Sequence, residues 1–148
     1  MNDLSRRNFI ASTGIGLAGL VAGGVLLSPR QANAVSLPLK TLTKVQALTL
    51  GTFGETLVPG ALEAGIIQYI DKQLGEPNTL LMLKYLGVDT NAMPAFYRSA
   101  LDSAHSLSKR LFKKAPEALT ADEALAWAEN IAAGTDKEWQ GPPAGFFF

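Results

Sequence analysis

Hydrophobic residues recur every three or four positions along most of the chain, which is the spacing of amphipathic α-helices. The spacing predicts helices over residues 44–57, 63–74, 94–114 and 121–133. No stretch shows the sustained alternation of hydrophobic and polar residues that marks a half-buried strand. These patterns predict an all-α fold, a small orthogonal bundle of four or five helices that follows an N-terminal signal segment and ends in an extended, proline-containing arm.

Helix ends are marked by capping residues. Thr43 is followed three positions later by Gln46, and Thr120 by Glu123, the spacing of a capping box. Such a box satisfies backbone N–H groups that the first turn of a helix leaves unbonded. Gly134 has the character of a C-terminal stop. The sequence therefore predicts helix starts after Thr43 and Thr120.

The sequence also predicts which side chains are buried in residues 80–86 and in the helix over residues 63–74. Residues 80–86 are almost wholly apolar apart from Lys84, which predicts a short helix buried on most sides. In the helix over residues 63–74, Ile66 and Ile70 lie on the apolar stripe. Asp71, beside that stripe, is predicted to face away from the core.

The first 34 residues follow a different pattern. No ionisable side chain occurs over residues 8–28, and five glycines dilute the apolar residues there. Ser5, Arg6 and Arg7 come directly before this stretch, and Phe9 is its second residue. That arrangement is typical of a twin-arginine export signal, which directs proteins across the inner bacterial membrane in an already folded state.

A cleavage site is predicted at the end of this segment. Ala32 and Ala34 place small residues at the two positions that a signal peptidase requires, so cleavage is expected after Ala34, with Val35 as the new first residue. The predicted division is a signal peptide over residues 1–34 and a single helical domain over residues 35–148. An ordinary secretory signal and an uncleaved membrane anchor remain alternatives, although a spanning helix needs about 20 predominantly apolar residues.

The composition of the chain excludes several classes of function. The chain has 13 basic and 13 acidic residues, one histidine and no cysteine. Three of the arginines lie in residues 1–34, so the remaining domain is slightly acidic and offers no basic field to bind nucleic acid. Without cysteine there is no disulfide framework, thiolate iron–sulfur site or covalently bound haem.

Candidate chemistry is sparse. The sequence has no glycine-rich dinucleotide or phosphate loop, no H-E-x-x-H and no C-x-x-C. His105, with Asp102 three residues earlier, lacks the second histidine that a di-metal helical bundle requires. We therefore expect no catalytic, cofactor-binding or metal-ligating residue in this chain. A folded-export signal on such a domain suggests that it escorts a protein that does carry a cofactor.

Four short segments then point to a family. They are residues 56–61 (TLVPGA), 63–65 (EAG), 69–71 (YID) and 139–144 (WQGPPA). In this order, and over residues 5–148, the chain resembles the gluconate 2-dehydrogenase subunit 3 family, the small subunits of membrane-associated flavoprotein dehydrogenases.

The resemblance implies a role. The large subunit of such complexes contains FAD, resembles glucose-methanol-choline oxidoreductases and usually lacks an export signal. A multihaem cytochrome c subunit often passes the electrons onward. The small subunit supplies the signal, supports maturation of the flavoprotein and carries it through the twin-arginine translocase. The expected location is the periplasm, at the inner membrane through the complex.

The C-terminal arm, residues 135–148, is the candidate partner interface. Consecutive prolines favour extended backbone, and aromatic side chains are enriched in interface hot spots. The arm could fold over its own core, press on the flavoprotein, or do both. The candidate interface residues are Trp139, Gly141, Pro142, Pro143, Phe146, Phe147 and Phe148.

Two other functions stay open at this point. One is a free-standing periplasmic helical domain that has its own ligand or activity. The other is a signal-anchored scaffold in which residues 9–28 stay in the membrane.

Overall fold

The computed structural model describes residues 21, 22 and 25–144. Within them a two-residue strand, β1 (Val21–Ala22), pairs antiparallel with β2 (Val25–Leu26). The remaining regular secondary structure of the described residues is helical, so the predicted all-α fold is confirmed. Five α-helices follow the strand pair in the described residues: α1 (Pro29–Ala34), α2 (Lys44–Leu57), α3 (Ile66–Leu74), α4 (Met93–Phe112) and α5 (Ala121–Ala133), with 3₁₀ helices at Met82–Leu86 and Pro116–Ala118.

Both predicted capping boxes are present. The Gln46 backbone N–H donates to Thr43 Oγ1 over 3.2 Å, and the Thr43 N–H donates to Gln46 Oε1 over 3.0 Å. Thr120 and Glu123 exchange the same two bonds over 3.3 and 2.9 Å. Gly134 ends α5 in the left-handed conformation. Helix α1 begins with a third capping box.

Helix α3 begins at Ile66, so the predicted start at residue 63 is wrong. Gly65 has a φ of +84°, a left-handed conformation that interrupts a helix and that glycine adopts without strain. The turn before it is held by Glu55, whose carboxylate accepts from the backbone N–H groups of Leu62 at 3.0 Å and Gly60 at 2.9 Å. These two hydrogen bonds lower the pKa of Glu55, and the bond from Leu62 has the larger effect.

Helix α2 lies at the centre of the domain. It contacts α1, α3, α4, α5 and the 3₁₀ helix Pro116–Ala118. Two glycines let α3 and the preceding turn come close. A Cβ at Gly51 would lie 2.6 Å from Leu62 Cδ2, and a Cβ at Gly54 would lie 2.8 Å from Ile66 Cδ1. A side chain at Gly51 would require Leu62 to move, and one at Gly54 would require Ile66 to move.

Trp127 of α5 joins three helices. It is fully buried, its Nε1 donates to the Ala104 carbonyl oxygen of α4 over 2.9 Å, and its ring meets Phe53 of α2 edge-on with centroids 5.8 Å apart. The hydrogen bond satisfies the one polar atom of the indole, as a buried tryptophan requires.

Asp71 is buried, so the prediction that it faces away from the core is wrong. Its Oδ1 accepts from the backbone N–H groups of Thr41 at 2.9 Å and Leu42 at 2.7 Å, and its Oδ2 accepts from Lys40 at 2.7 Å. The carboxylate therefore fixes the extended segment that leads into α2. The hydrogen bonds compensate for the cost of burying the charge.

His105 of α4 is expected to make the stability of the folded domain depend on pH. Burial lowers its pKa from 6.5, the Lys109 charge lowers it further, and Glu117 and Asp102 oppose these effects. Because the folded pKa lies below the unfolded one, the unfolded chain takes up the proton first as the pH falls. The free energy of unfolding therefore decreases below about pH 6.5.

Urea unfolding at about pH 7.5 and about pH 5.5, on either side of the unfolded pKa, measures this effect. We expect a lower midpoint at the acidic pH and a smaller difference for His105→Gln. An equal difference in both proteins would show that another group causes the effect.

Candidate partner-binding surface

The segment between α3 and α4 is held in place by hydrogen bonds to its backbone. The Leu80 backbone N–H donates to Gln73 Oε1 over 2.7 Å, and the Leu81 N–H donates to Thr79 Oγ1 over 3.1 Å. Thr79 and Leu81 are buried, and Leu81 packs in a cluster with Met93 of α4 and other core residues. The segment therefore has a fixed backbone.

The same segment presents large hydrophobic side chains to solvent. In a 3₁₀ helix, residues three apart lie on one face, which pairs Met82 with Tyr85. Single exposed hydrophobic residues are ordinary, but several in one short segment indicate an interaction surface. Four such residues form what we call the 80–86 surface. Their exposed fractions are 64% for Leu80, 73% for Met82, 72% for Tyr85 and 59% for Leu86.

The prediction that residues 80–86 are buried on most sides is therefore wrong. The apolar composition was correctly located, but among the residues whose burial the structure describes, Leu81 is buried while Leu80, Met82, Tyr85 and Leu86 are exposed. Lys84 stays at the surface, where its Nζ donates to the Thr79 carbonyl oxygen over 2.8 Å and lies 4.9 Å from the centre of the Tyr85 ring. This contact orients the tyrosine.

The C-terminal arm folds over its own domain. Ser103 of α4 binds Gln140 twice: its Oγ donates to the Gln140 carbonyl oxygen over 2.6 Å and accepts from the Gln140 N–H over 3.0 Å. Trp139 Nε1 donates to the Pro142 carbonyl oxygen over 2.7 Å. Ala144 is buried in the Trp127 cluster. Of the two roles open for the arm, packing on its own core is observed.

The outer side of the arm is partly exposed. Gly141 and Pro143 are exposed, while Trp139 and Pro142 are half-buried. Phe146, Phe147 and Phe148 lie outside the described residues. Their role in a partner interface stays a prediction.

Gly141 is the position where the arm depends on glycine. Its φ is +113°, and a Cβ there would lie 2.6 Å from Ser99 Oγ and 3.3 Å from the Ser99 carbonyl carbon. We expect Gly141→Ala to lower the free energy of unfolding by about 2 to 3 kcal/mol, from backbone strain and the clash together. Chemical denaturation measures the change.

Gly134→Ala is the matched control. Gly134 also has a positive φ, of +62°, but a Cβ there meets no atom within 4 Å. Strain alone predicts a loss of about 1 kcal/mol for the control. Equal losses in the two variants would mean that the contact with Ser99 is unimportant.

The predicted signal residues fall in two places. Ser5, Arg6, Arg7 and Phe9 lie outside the described residues. The predicted cleavage residues Ala32, Ala34 and Val35 are described, and they belong to the end of α1 and its C-cap.

One cleft in the described part of the domain is lined by both polar and apolar side chains. It has a volume of ≈ 460 Å³ and lies between α2, the 3₁₀ helix Pro116–Ala118 and α5, with Glu55 and Thr120 in its wall. In the part of the chain that the structure describes, no three His, Asp or Glu side chains are grouped so that they could hold a metal ion.

Comparison with protein families gives one match. The family model of gluconate 2-dehydrogenase subunit 3 matches residues 41–148. The chain belongs to this family. Comparison with curated proteins and with solved structures gives no match.

The subunit 3 match spans the features that carry the fold and the candidate surface. It begins at the segment held by Asp71 and includes α2 to α5, the 80–86 surface and the arm. Gly60 and Gly65, the two glycines with positive φ between α2 and α3, lie in it, as does Gly141.

None of the helices in the described residues combines the length and the apolar character that crossing a membrane requires.

Sequence reasoning missed the 80–86 surface. A signal was present, because seven residues form only about two turns and cannot bury side chains on every side. An apolar run that short, followed by Gly87, is compatible with a buried Leu81 between the exposed residues Leu80 and Met82.

Proposed function

We propose that this chain is the non-catalytic small subunit of an FAD-dependent dehydrogenase. It binds a large subunit of the glucose-methanol-choline type, assists its maturation and carries it through the twin-arginine route. The observation that supports this most directly is the 80–86 surface on a domain of the subunit 3 family. FAD belongs to the partner, and in complexes with a third subunit, haem c belongs to that subunit.

The chemistry of the 80–86 surface suits a permanent partner. Tyrosine is enriched at hot spots, and methionine adapts its shape to an irregular apolar surface. The fixed backbone beneath these side chains reduces the conformational entropy lost on binding. The apolar side chains are expected to pack in the interface core, and Lys84 at its polar rim.

The export signal supplies the second half of the proposal. Arg6 and Arg7 would direct the folded pair to the translocase, so that a large subunit without a signal of its own reaches the periplasm. The complex would then lie at the inner membrane. Redox chemistry and its cofactors stay on the other subunits.

Replacing Arg6 and Arg7 with lysine tests the export role. With the large subunit co-expressed, we expect it to remain in the cytoplasm, because lysine keeps the charge but not the arginine pair that the translocase reads. Dehydrogenase activity and immunoblots of periplasmic and cytoplasmic fractions measure its location.

Arg30→Lys is the matched control, since it makes the same change outside the arginine pair. Normal export is expected for this variant. If the large subunit reaches the periplasm equally well with the Arg6→Lys and Arg7→Lys changes, the escort proposal is wrong. If it also fails to co-purify with the wild-type chain, no complex exists.

A further inference from the structure

The segment Leu27–Val35 packs as part of the folded domain. Leu27 and Val35 are buried in one cluster with Leu48 of α2 and Ile67 of α3. Val35 is 2% exposed and Ala34 is 8% exposed. The segment therefore covers core residues of the helices that lie inside the family match.

Polar bonds hold both ends of this N-terminal segment. Ser28 and Gln31 form the capping box of α1, and Gln31 Nε2 also donates to the Glu117 carbonyl oxygen over 3.0 Å. At the other end, Gln68 Nε2 of α3 donates to the Ala34 carbonyl oxygen. Two of these contacts reach residues far away in the sequence, so the segment is held by the tertiary fold.

This arrangement is the opposite of what a peptidase needs. Proteases cut exposed, flexible backbone, whereas the Ala34–Val35 bond lies at the end of a helix. The Ala34 carbonyl is bonded to Gln68, and the Val35 N–H donates to the Gln31 carbonyl oxygen over 3.2 Å.

The products of cleavage would not fit either. Hydrolysis adds water across the bond between the Ala34 carbonyl carbon and the Val35 nitrogen, leaving a carboxylate on Ala34 and an ammonium group on Val35. Both charges would arise where the side chains are buried, and moving charged groups out of water is unfavourable. Cleavage therefore disfavours the packed position of the segment.

We propose that the folded domain protects the Ala34–Val35 peptide bond, and that cleavage occurs only after residues 27–35 leave the surface. A subunit that folds before export then keeps its N-terminal segment unless something opens it. This inference rests on the signal part of the proposed function and does not involve the partner.

The experiment compares cleavage by purified signal peptidase in detergent, read as intact mass. The substrates are the full-length chain and a fusion of residues 1–42 to an unrelated folded domain, which has the same site without the docking surface. We expect cleavage of the full-length chain to be about 100-fold slower than cleavage of the fusion. The peptidase can cut only the small fraction of molecules in which residues 27–35 have left the domain surface.

Gln68→Ala tests the docking without altering the cleavage sequence. Loss of its bond to Ala34 should raise the cleavage rate of the full-length chain about fivefold. Gln140→Ala is the matched control, since the Gln140 side chain is exposed and the residue is bonded through its backbone. Circular dichroism establishes that both variants are folded.

Hydrogen exchange gives a second measurement that needs no peptidase. The Val35 amide should exchange slowly in the full-length chain and faster in Gln68→Ala. Equal cleavage of the full-length chain and the fusion, an uncut fusion, or rapid exchange at Val35 in the wild-type chain would each overturn the proposal. Because no translocation is involved, these results are independent of the Arg6 and Arg7 experiment.

Discussion

Replacing Asp71 with alanine lowers the free energy of unfolding by about 3 to 5 kcal/mol, because three backbone N–H groups lose their acceptor. The donors belong to Lys40, Thr41 and Leu42, and all three bonds are 2.9 Å or shorter. Alanine cannot accept, and the buried Leu42 N–H would have no nearby water to replace the carboxylate. Urea unfolding followed by circular dichroism measures the loss.

Asp71→Asn separates hydrogen bonding from charge. The asparagine oxygen can keep the bonds of Thr41 and Leu42, while its amide group would meet the Lys40 N–H as a second donor. We expect roughly half the loss seen with alanine. Lys72→Ala is the control on the adjacent, exposed position. If Asp71→Ala were as stable as this control, the carboxylate would not organise the segment before α2.

If the proposed large subunit binds the 80–86 surface, replacing Met82 and Tyr85 together with aspartate is expected to weaken its binding by at least about 100-fold, since hot-spot losses are typically 2 kcal/mol or more for each residue. Both side chains are largely exposed and share one face of the 3₁₀ helix. The stability of the free domain should change little, because neither side chain is in the core. Co-purification and a binding isotherm with the large subunit measure the effect.

The control for this pair replaces Leu111 and Leu125 with aspartate. These leucines are also exposed, and they lie on α4 and α5. Binding is expected to be unchanged in this variant. If the Leu111 and Leu125 changes abolished binding while the Met82 and Tyr85 changes did not, the partner would bind another face.

The parts of the fold that the sequence predicted are those set by local interactions. The capping boxes at Thr43 and Thr120 join residues three apart, and Gly134 ends its own helix. For the same reason α2 and α5 have the predicted bounds. Each signal is complete within a few residues, so it does not depend on how the chain packs.

Long-range contacts account for what the sequence did not predict. Asp71 is charged and was placed at the surface, yet the backbone groups that make its burial favourable lie about thirty residues earlier. Leu80 and Leu81 are identical in type and adjacent, but only Leu81 meets the core. Hydrophobicity cannot distinguish them, because the tertiary path of the segment decides which one is covered.

The candidate functional residues show the same difference between local sequence signals and long-range contacts. The export and cleavage residues are predictions from the sequence pattern, whereas the packing of Ala34 and Val35 against α2 and α3 depends on tertiary structure. For the arm, the sequence indicated an extended aromatic segment. Its attachment through Ser103 could not be foreseen, because serine carries no distinctive signal within a long helix.

The capping boxes of α1, α2 and α5 have a consequence for the speed of folding. Each forms between neighbours in the sequence, so helix starts can be defined within microseconds, before the chain has collapsed. Folds built from such short-range interactions reach their native state quickly. A polypeptide of this design would be folded soon after it leaves the ribosome, which the proposed twin-arginine route requires.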